Sequence, residues 1–408
     1  MGSATPLDPS MPVGKRIKFY RERVGKTRAV LAGHVGKSEG WVKAIETGRL
    51  QPPRLPMLVK LAEFLDVPDL SALTGSVSLP TSLFSAAEHP ALSVVRRAVD
   101  TAPLGNPEGR LPSVAHVAAA LSAGWRTRGA RGDHRTALGE LLPSLVTHAS
   151  LAASHPDCPD QRRALVLYAS ALNLVQMYAA YQGDGNLVWR VAERSLAAAR
   201  ASGDEAAIGD AAWFLVQAFR ESGQWDSAQV MTEEALRVLS PVRRNSPTVA
   251  AAWAAMAFHA AITHARAGES GDAWHWFDRA KAVADTLPSD HWSPSTSASG
   301  RVVPIHAVTI AVELRQAGTA LRWADRIDPA DIPARPRRAR HLIEVARAHA
   351  MRNQSDQVVE LLRDAADSAP ETPRWNREAH DLVRDLQRAP VSLRRAAAEL
   401  AEAVGLPA

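Results

Sequence analysis

Apolar residues recur every three or four positions over most of this 408-residue chain, and strand-like alternation of apolar and polar residues is absent. The pattern predicts an all-α protein. Glycine, proline and small polar residues interrupt it at intervals of about one helix. Residues 13–75 form the first such group of helices, and the proline-rich residues 1–12 before them are expected to be a disordered arm.

Residues 28–48 predict two short helices that pack on each other. Between them, Gly36 suits a helix end at positive φ, and Ser38 is a good N-cap for the second helix. The apolar positions on their facing sides are Leu31, Ala32, Val35, Val42 and Ile45. The first turns of the second helix keep an outward side that suits the major groove of DNA.

Beyond residue 113 the helical pattern predicts antiparallel helix pairs stacked into a solenoid. Residues 76–112 contain proline, glycine and asparagine around one helical patch at 92–99, and are predicted to be a linker carrying a short helix. The predicted pairs span residues 113–153, 162–201, 205–239, 247–286, 304–327, 337–368 and 374–404.

The N-terminal unit resembles the lambda-repressor-like, five-helix domain of the XRE family of regulators. The matching positions are Gly36, Ser38, Val42, Ile45, Glu46 and Gly48. The resemblance implies a helix-turn-helix DNA-binding domain over residues 13–75, with helices at 13–23, 28–35, 39–47, 54–65 and 70–74. It also implies a structural ion pair between Arg21 and Glu46, so that Glu46 belongs to the scaffold.

Several residues of this domain are expected to contact DNA. The base-reading candidates are Glu39, Gly40, Trp41 and Ala44, and the phosphate candidates are Arg28, Lys37, Ser38, Lys43, Arg49 and Arg54. A carboxylate suits the cytosine N4 donor, and apolar groups suit the thymine methyl. Trp41 is equally compatible with packing on a neighbouring loop. Gly40 stands where the family often has an amide that reads adenine, so the resemblance leaves the target sequence open.

Charge supports this assignment. Residues 1–75 contain 12 Lys plus Arg against 7 Asp plus Glu, whereas the remainder contains 36 of each sign. The whole formal charge of +5 therefore lies in the predicted DNA-binding unit. Six of the seven lysines lie between Lys15 and Lys60. Basic charge concentrated in one unit is typical of a phosphate-binding face.

Small residues recur with similar spacing in the predicted solenoid, and they resemble those of tetratricopeptide repeats. The positions are Gly223, Ala228 and Ala235, then Gly268, Ala273 and Ala280, and more weakly Asn353, Val358 and Ala365. The resemblance implies a concave groove that binds extended peptides or partner helices. The candidate groove residues are Asn173, Gln176, Trp213, Gln217, Arg220 and Arg347, for which an ordinary solvated role is equally compatible.

Other chemistry finds little support in the sequence. The single cysteine, Cys158, excludes an intrachain disulfide and makes a cysteine-rich zinc site untenable. His259 and His264 are five residues apart and diverge on a helix, unlike the paired ligands of a metalloprotease. No cofactor motif, signal peptide or membrane-spanning run is recognised, which predicts a cytoplasmic protein that is not an enzyme and binds no metal.

The combined layout is similar to that of peptide-responsive regulators of Gram-positive bacteria and of many actinobacterial regulators. It implies a homodimeric transcriptional regulator that binds a palindromic DNA operator and senses a peptide or other small ligand through its repeats. In one alternative the repeats dock a protein partner and take no small ligand. In a weaker alternative the helices contain an unrecognised catalytic site.

Overall fold

The computed structural model describes residues 11–53, 55–65, 67, 71–74, 89–101, 111–182, 184–221, 224–244 and 246–406. Within these ranges the protein is all-α, as predicted. Arg54, Gly223 and the expected disordered arm up to residue 10 lie outside the described residues, as does most of the predicted linker.

Five helices form the N-terminal unit. They are α1 (Val13–Arg23), α2 (Arg28–His34), α3 (Glu39–Glu46), α4 (Leu55–Phe64) and α5 (Ser71–Thr74). Ile17, Leu31, Val42, Ile45 and Leu61 are buried together in their core. The helical spacing of these apolar residues drives the packing, because each helix is too short to be stable alone in water.

Helix α6 (Leu92–Asp100) matches the short helix expected in the linker, but it packs against the repeats. Leu92, Val95 and Val99 on its apolar face are buried in the same core as the first helix pairs of the repeats. Helix α6 therefore packs with the repeats, and the bounds of the linker stay a prediction.

Seven helix pairs follow, in close agreement with the predicted ranges. The first four are α7 (Val114–Ala130) with α8 (His134–Ser154), α9 (Gln161–Ala179) with α10 (Gly185–Ser202), α11 (Glu205–Glu221) with α12 (Trp225–Leu239), and α13 (Pro247–Ala267) with α14 (Ser270–Ala284). The last three are α15 (Val303–Glu313) with α16 (Ala317–Ala324), α17 (Arg335–Ala350) with α18 (Ser355–Ser368), and α20 (Arg377–Gln387) with α21 (Arg394–Val404), where the short α19 (Glu371–Arg374) precedes α20.

The recurring small residues lie where paired helices cross. Ala228, Ala273, Ala280 and Ala365 are fully buried at such crossings. The turn residue Gly268 has φ of 80°. The α15–α16 and α17–α18 turns use Arg315 and Asn353 at φ of 60° and 56° instead. Glycine is therefore a useful but incomplete sequence marker of these turns.

The first helices of consecutive pairs pack side by side from α7 to α17, so they form one continuous inner layer. The array also curls until its ends meet. Glu371 of α19 accepts a hydrogen bond of 2.6 Å from the Thr136 hydroxyl of α8. At the same junction, the Arg135 guanidinium lies 6.0 Å from the centre of the Trp375 ring. Helix α7 of the first pair also packs against α17 of the sixth, which closes the inner layer on itself.

Candidate nucleic-acid interface and ligand face

The turn between α2 and α3 is held by local hydrogen bonds. The Ser38 hydroxyl accepts from the Trp41 backbone N–H at 3.2 Å, and Thr27 caps α2 by accepting from Val30 N–H at the same distance. Gly36 has φ of 67°, which is accessible to glycine without strain. The predicted Ser38 cap and the helix end at Gly36 are confirmed, and they fix the start of α3.

A buried carboxylate holds α3 against α1 and α2. Glu46 is buried at the end of α3, and its oxygens lie 2.5 Å from Arg21 Nε and 2.7 Å from Arg28 Nε. Burial alone would raise the pKa of Glu46, but hydrogen bonds from the two arginines outweigh it and lower the pKa. The Arg21–Glu46 pair is confirmed as scaffold.

Arg28 serves this scaffold as well. Its Nε binds Glu46, while about 31% of the side chain remains exposed beside the N-terminus of α2. A phosphate contact by Arg28 therefore has to use the guanidinium nitrogens that face solvent. Lys37, Lys43 and Arg49 are all exposed around α3 and have no such restriction.

The outward side of α3 presents Glu39, Gly40 and Lys43 to solvent. Trp41 is half-buried and packs against the core of the unit, with part of its ring still accessible. Ala44 is only 3% exposed and lies within that core. The expectation that Ala44 contacts a thymine methyl is corrected, because the helix turns this position toward the protein.

The N-terminal unit matches a known family. The family described as "Helix-turn-helix domain" matches residues 13–73. Residues 13–73 are a helix-turn-helix domain. The match ends before α6, so it assigns nothing to the repeats. No curated protein sequence matches the chain.

Three solved structures show weak similarity over more of the chain. Bacillus thuringiensis PlcR, in complex with the peptide PapR7 and DNA, is 12% identical over 67% of this chain and 94% of that chain, with a TM-score of 0.26. ComR, the competence regulator from Streptococcus vestibularis in its apo form, is 15% identical over 77% and 97%, with a TM-score of 0.25. Apo ComR from S. thermophilus is 14% identical over 68% and 94%, with a TM-score of 0.21. Scores this low establish no likeness in the arrangement of helices.

In the repeat domain, two of the expected groove residues are buried. Asn173 is 2% exposed and accepts a hydrogen bond of 2.6 Å from the Ser195 hydroxyl of α10. Gln176 is 3% exposed and donates to the Phe214 carbonyl of α11 at 2.8 Å. The expectation that they project into an open groove is corrected, because both are used to join neighbouring helices.

The remaining groove candidates lie on the inner layer. Trp213 of α11 is half-buried, with its ring centre 4.4 Å from that of His259 on α13. Gln217 is partly exposed and Arg220 is mostly buried on the same helix. All three residues lie on one helix, α11. Whether they bind a ligand stays a prediction.

Arg347 occupies a network of ion pairs along the inner layer. Its Nη1 lies 3.2 Å from Glu313 and 2.6 Å from Glu344. Arg266 pairs with Glu313 from the other side at 3.2 Å, and Arg340 pairs with Glu344 at 2.9 Å. The two carboxylates bridge α13, α15 and α17, so Arg347 is a charge-compensated part of the layer.

Sequence reasoning missed the seam where α7 packs against α17, on which Arg128 and Arg337 lie. No local motif marks them, because the closure of the array brings them together from distant parts of the chain. One group within the described ranges has metal-ligand spacing, with donor atoms of His264, Glu269 and Asp272 within 4.8 Å of one another. His264 hydrogen-bonds Glu269 at 2.7 Å there, across the α13–α14 turn.

In the described part of the chain, every helix is too short or too polar to cross a membrane.

Proposed function

We propose that this protein is a sequence-specific DNA-binding transcriptional regulator. The observation that carries the proposal is the exposed beginning of α3, held by the Ser38 cap at one end and by buried Glu46 at the other. A helix fixed at both ends presents its side chains at defined positions. That property is what base recognition in the major groove requires.

The residues on the exposed face of α3 suit two kinds of DNA contact, with base edges and with phosphates. Glu39 has the chemistry to accept from cytosine N4, Gly40 allows close approach of the helix to the base edges, and the accessible edge of Trp41 suits a thymine methyl. Lys37, Lys43 and Arg49 bind phosphates and set the register of the helix on the duplex. The Ser38 hydroxyl and the backbone N–H groups beside it add a phosphate contact at the helix start.

A single helix-turn-helix domain reads only a few base pairs. We therefore propose that the protein binds as a homodimer to a palindromic operator, with the two α3 helices about 34 Å apart on one face of the DNA. Sedimentation analysis with and without operator tests this part. A protein that stays monomeric on a single half-site contradicts it.

Footprinting of genomic fragments with the purified full chain tests DNA recognition itself. Lys43→Ala is expected to weaken binding to all sequences and to lower the slope of log affinity against log salt by about one. Lys281→Ala is the matched control, since Lys281 lies on α14 in the repeat domain. Equal effects of the two substitutions on DNA binding would show that α3 does not contact the DNA.

We further propose that the inner layer of the repeats binds a peptide or other small effector and that this binding changes operator affinity. One contact supports this coupling: Leu50, just after α3, packs against the turn residue Gly268 of the repeats, where an added methyl group would lie 2.7 Å from Leu50 Cδ1. Binding linkage then requires operator DNA to change effector affinity by the same factor. Equal affinity of the effector for free and operator-bound protein would contradict the coupling.

The competing function for the repeats is a docking platform for a partner protein. Substitution of Gln217 and Arg220 together distinguishes the two. Loss of response to a deproteinised culture extract supports a small effector. Loss of partner co-purification with an intact extract response supports the platform.

A further inference from the structure

The closure of the repeat array gathers arginines from its two ends. Helix α7 approaches the start of α17 closely, and a methyl group built on Gly129 would lie 3.9 Å from Ala334 Cβ. Arg128 extends from α7 at this seam, and Arg337 and Arg340 extend from α17. The seam between α7 and α17 is therefore rich in guanidinium groups.

Tyr181 ties a third element to the seam. It follows α9 with φ of 67°, a backbone conformation that a tyrosine rarely adopts. In this conformation its hydroxyl accepts a hydrogen bond of 2.8 Å from Arg340 Nη1. Non-glycine residues in the left-handed region concentrate at ligand clamps and functional sites.

The arginines of the seam differ in whether a nearby carboxylate neutralises their charge. Arg340 has two carboxylate partners, Glu344 at 2.9 Å and Glu378 at 3.6 Å. Among the residues that the structure describes, no carboxylate lies within 4.0 Å of Arg128 or Arg337. The contact of Arg128 is with the Met177 sulfur, at 3.6 Å, which neutralises no charge.

The electrostatics agree with this geometry. Burial, reinforced by the charges of Arg135 and Arg337, lowers the pKa of Arg128 to about 10. Burial and the charge of Arg340 lower the pKa of Arg337 to about 10, although Glu344 acts in the opposite direction. Both groups remain cationic at neutral pH. Both side chains are half-buried, and positive charges that lie close to other arginines without a carboxylate partner are typical of sites that a ligand completes.

We propose that Arg128 and Arg337 bind an oxyanion, a carboxylate or phosphate group, of the effector at the seam between α7 and α17, with Tyr181 and Arg340 at its edge. Guanidinium groups form paired hydrogen bonds with both kinds of oxyanion. The proposal rests on the proposed effector-binding role of the repeats. An anion bridging α7 and α17 strengthens the contact between the first and sixth helix pairs, so it stabilises the closed array.

Thermal unfolding of the full chain tests the site. The probes are inorganic phosphate, and a triglycine acetylated at its N-terminus with either a free or an amidated C-terminus, all compared with chloride at equal ionic strength. Phosphate or the free-acid peptide is expected to raise the Tm of the native chain. The response identifies which oxyanion is preferred, and the amide is expected to have no effect.

Arg128→Met and Arg337→Met are each expected to weaken binding of the stabilising anion at least tenfold, because each removes one bidentate donor. Without anion, both variants should be as stable as the native chain or more stable, since methionine removes a charge that has no carboxylate partner and keeps the apolar stem. Arg126→Met is the matched control on α7, where Arg126 is exposed and donates a hydrogen bond to Ser122. It is expected to keep the full anion response.

Retention of the anion response by both seam variants would overturn the site, as would a native chain that no oxyanion stabilises. A lower Tm of the unliganded variants would also overturn it, because it would assign the arginines a structural role. Anion binding without any change in operator affinity leaves the site intact and refutes the proposed coupling. An operator response to culture extract that survives both substitutions refutes the site and leaves the proposed function intact.

Discussion

Gly14 allows α1 to approach α3, and adding one methyl group there should displace the recognition helix. A Cβ at Gly14 would lie 2.0 Å from the Ile45 carbonyl oxygen and 2.9 Å from the Ile45 carbonyl carbon. Both neighbours are backbone atoms, so no side-chain rotation relieves the clash. The two helices must separate by about 1 Å before the contact becomes tolerable.

The magnitude follows from two opposing effects. Alanine is favoured over glycine within a helix by up to about 1 kcal/mol, whereas overpacking a core costs about 1–3 kcal/mol and sometimes more. The backbone clash makes the second effect dominant, and we expect Gly14→Ala to destabilise the helix-turn-helix domain by about 2 kcal/mol. A displacement of about 1 Å also exceeds the tolerance of a recognition site, so operator affinity should fall.

Hydrogen–deuterium exchange of the full chain measures this locally. A loss of about 2 kcal/mol accelerates exchange of protected amides in α1 and α3 about 30-fold, while the repeats are unaffected. Gly33→Ala in α2 is the control, because a methyl group there meets no atom within 4 Å, and it should slow exchange or leave it unchanged. Unchanged exchange and DNA affinity in Gly14→Ala would refute the close approach of α1 and α3.

Three further predictions concern single residues. Ser38→Ala should destabilise α3 by about 1 kcal/mol through loss of its N-cap, whereas Ser38→Asp should keep the cap and weaken operator binding by repelling a phosphate, as circular dichroism and DNA titration will show. Glu46→Gln should cost about 1.5–3 kcal/mol in local exchange measurements, because it removes the buried carboxylate that accepts charge-assisted hydrogen bonds from Arg21 and Arg28. His341, whose pKa burial and Arg337 lower to about 3, should make the repeats less stable in acid.

The sign of the last effect follows from proton binding. The pKa of His341 is lower in the folded protein than in the unfolded chain, where it is about 6.5, so the unfolded chain binds more protons between the two values. Stability is full above about pH 6.5 and falls as the pH decreases. One such histidine accounts for about 2 kcal/mol lost by pH 5. His341→Leu should reduce the pH dependence by that amount, and an unchanged slope would show that the buried ring titrates normally.

The helix-turn-helix domain could be predicted from the sequence because the residues that determine its helices lie close together in the chain. Ser38 caps the helix that it begins, Gly36 ends the one before it, and the spacing of Val42 and Ile45 fixes the buried face. Side-chain exposure was predictable where helical geometry alone decides it, as for Glu39 and Lys43. Ala44 was misjudged because a small residue at the margin of an apolar face becomes buried only through the tilt of the neighbouring helices.

In the repeats, too, local features could be predicted from the sequence, whereas features set by packing between helices could not. Helical periodicity and turn residues predicted the paired helices to within a few residues, since both depend on neighbours in the chain. Asn173 and Gln176 were misplaced because their exposure depends on the rotation of whole helices against their neighbours. The polarity and spacing of neighbouring residues in the chain carry no information about that rotation.

The sequence by itself determined the helices, their caps and the basic character of the DNA-binding unit, because each depends on residues within a few positions of one another. Only the tertiary structure decided that Arg128 and Arg337 share one seam while Arg347 is neutralised by Glu313 and Glu344. Those relations depend on the curvature accumulated over six helix pairs. Small rotations at each crossing add along the array, and only their sum sets which distant charges meet.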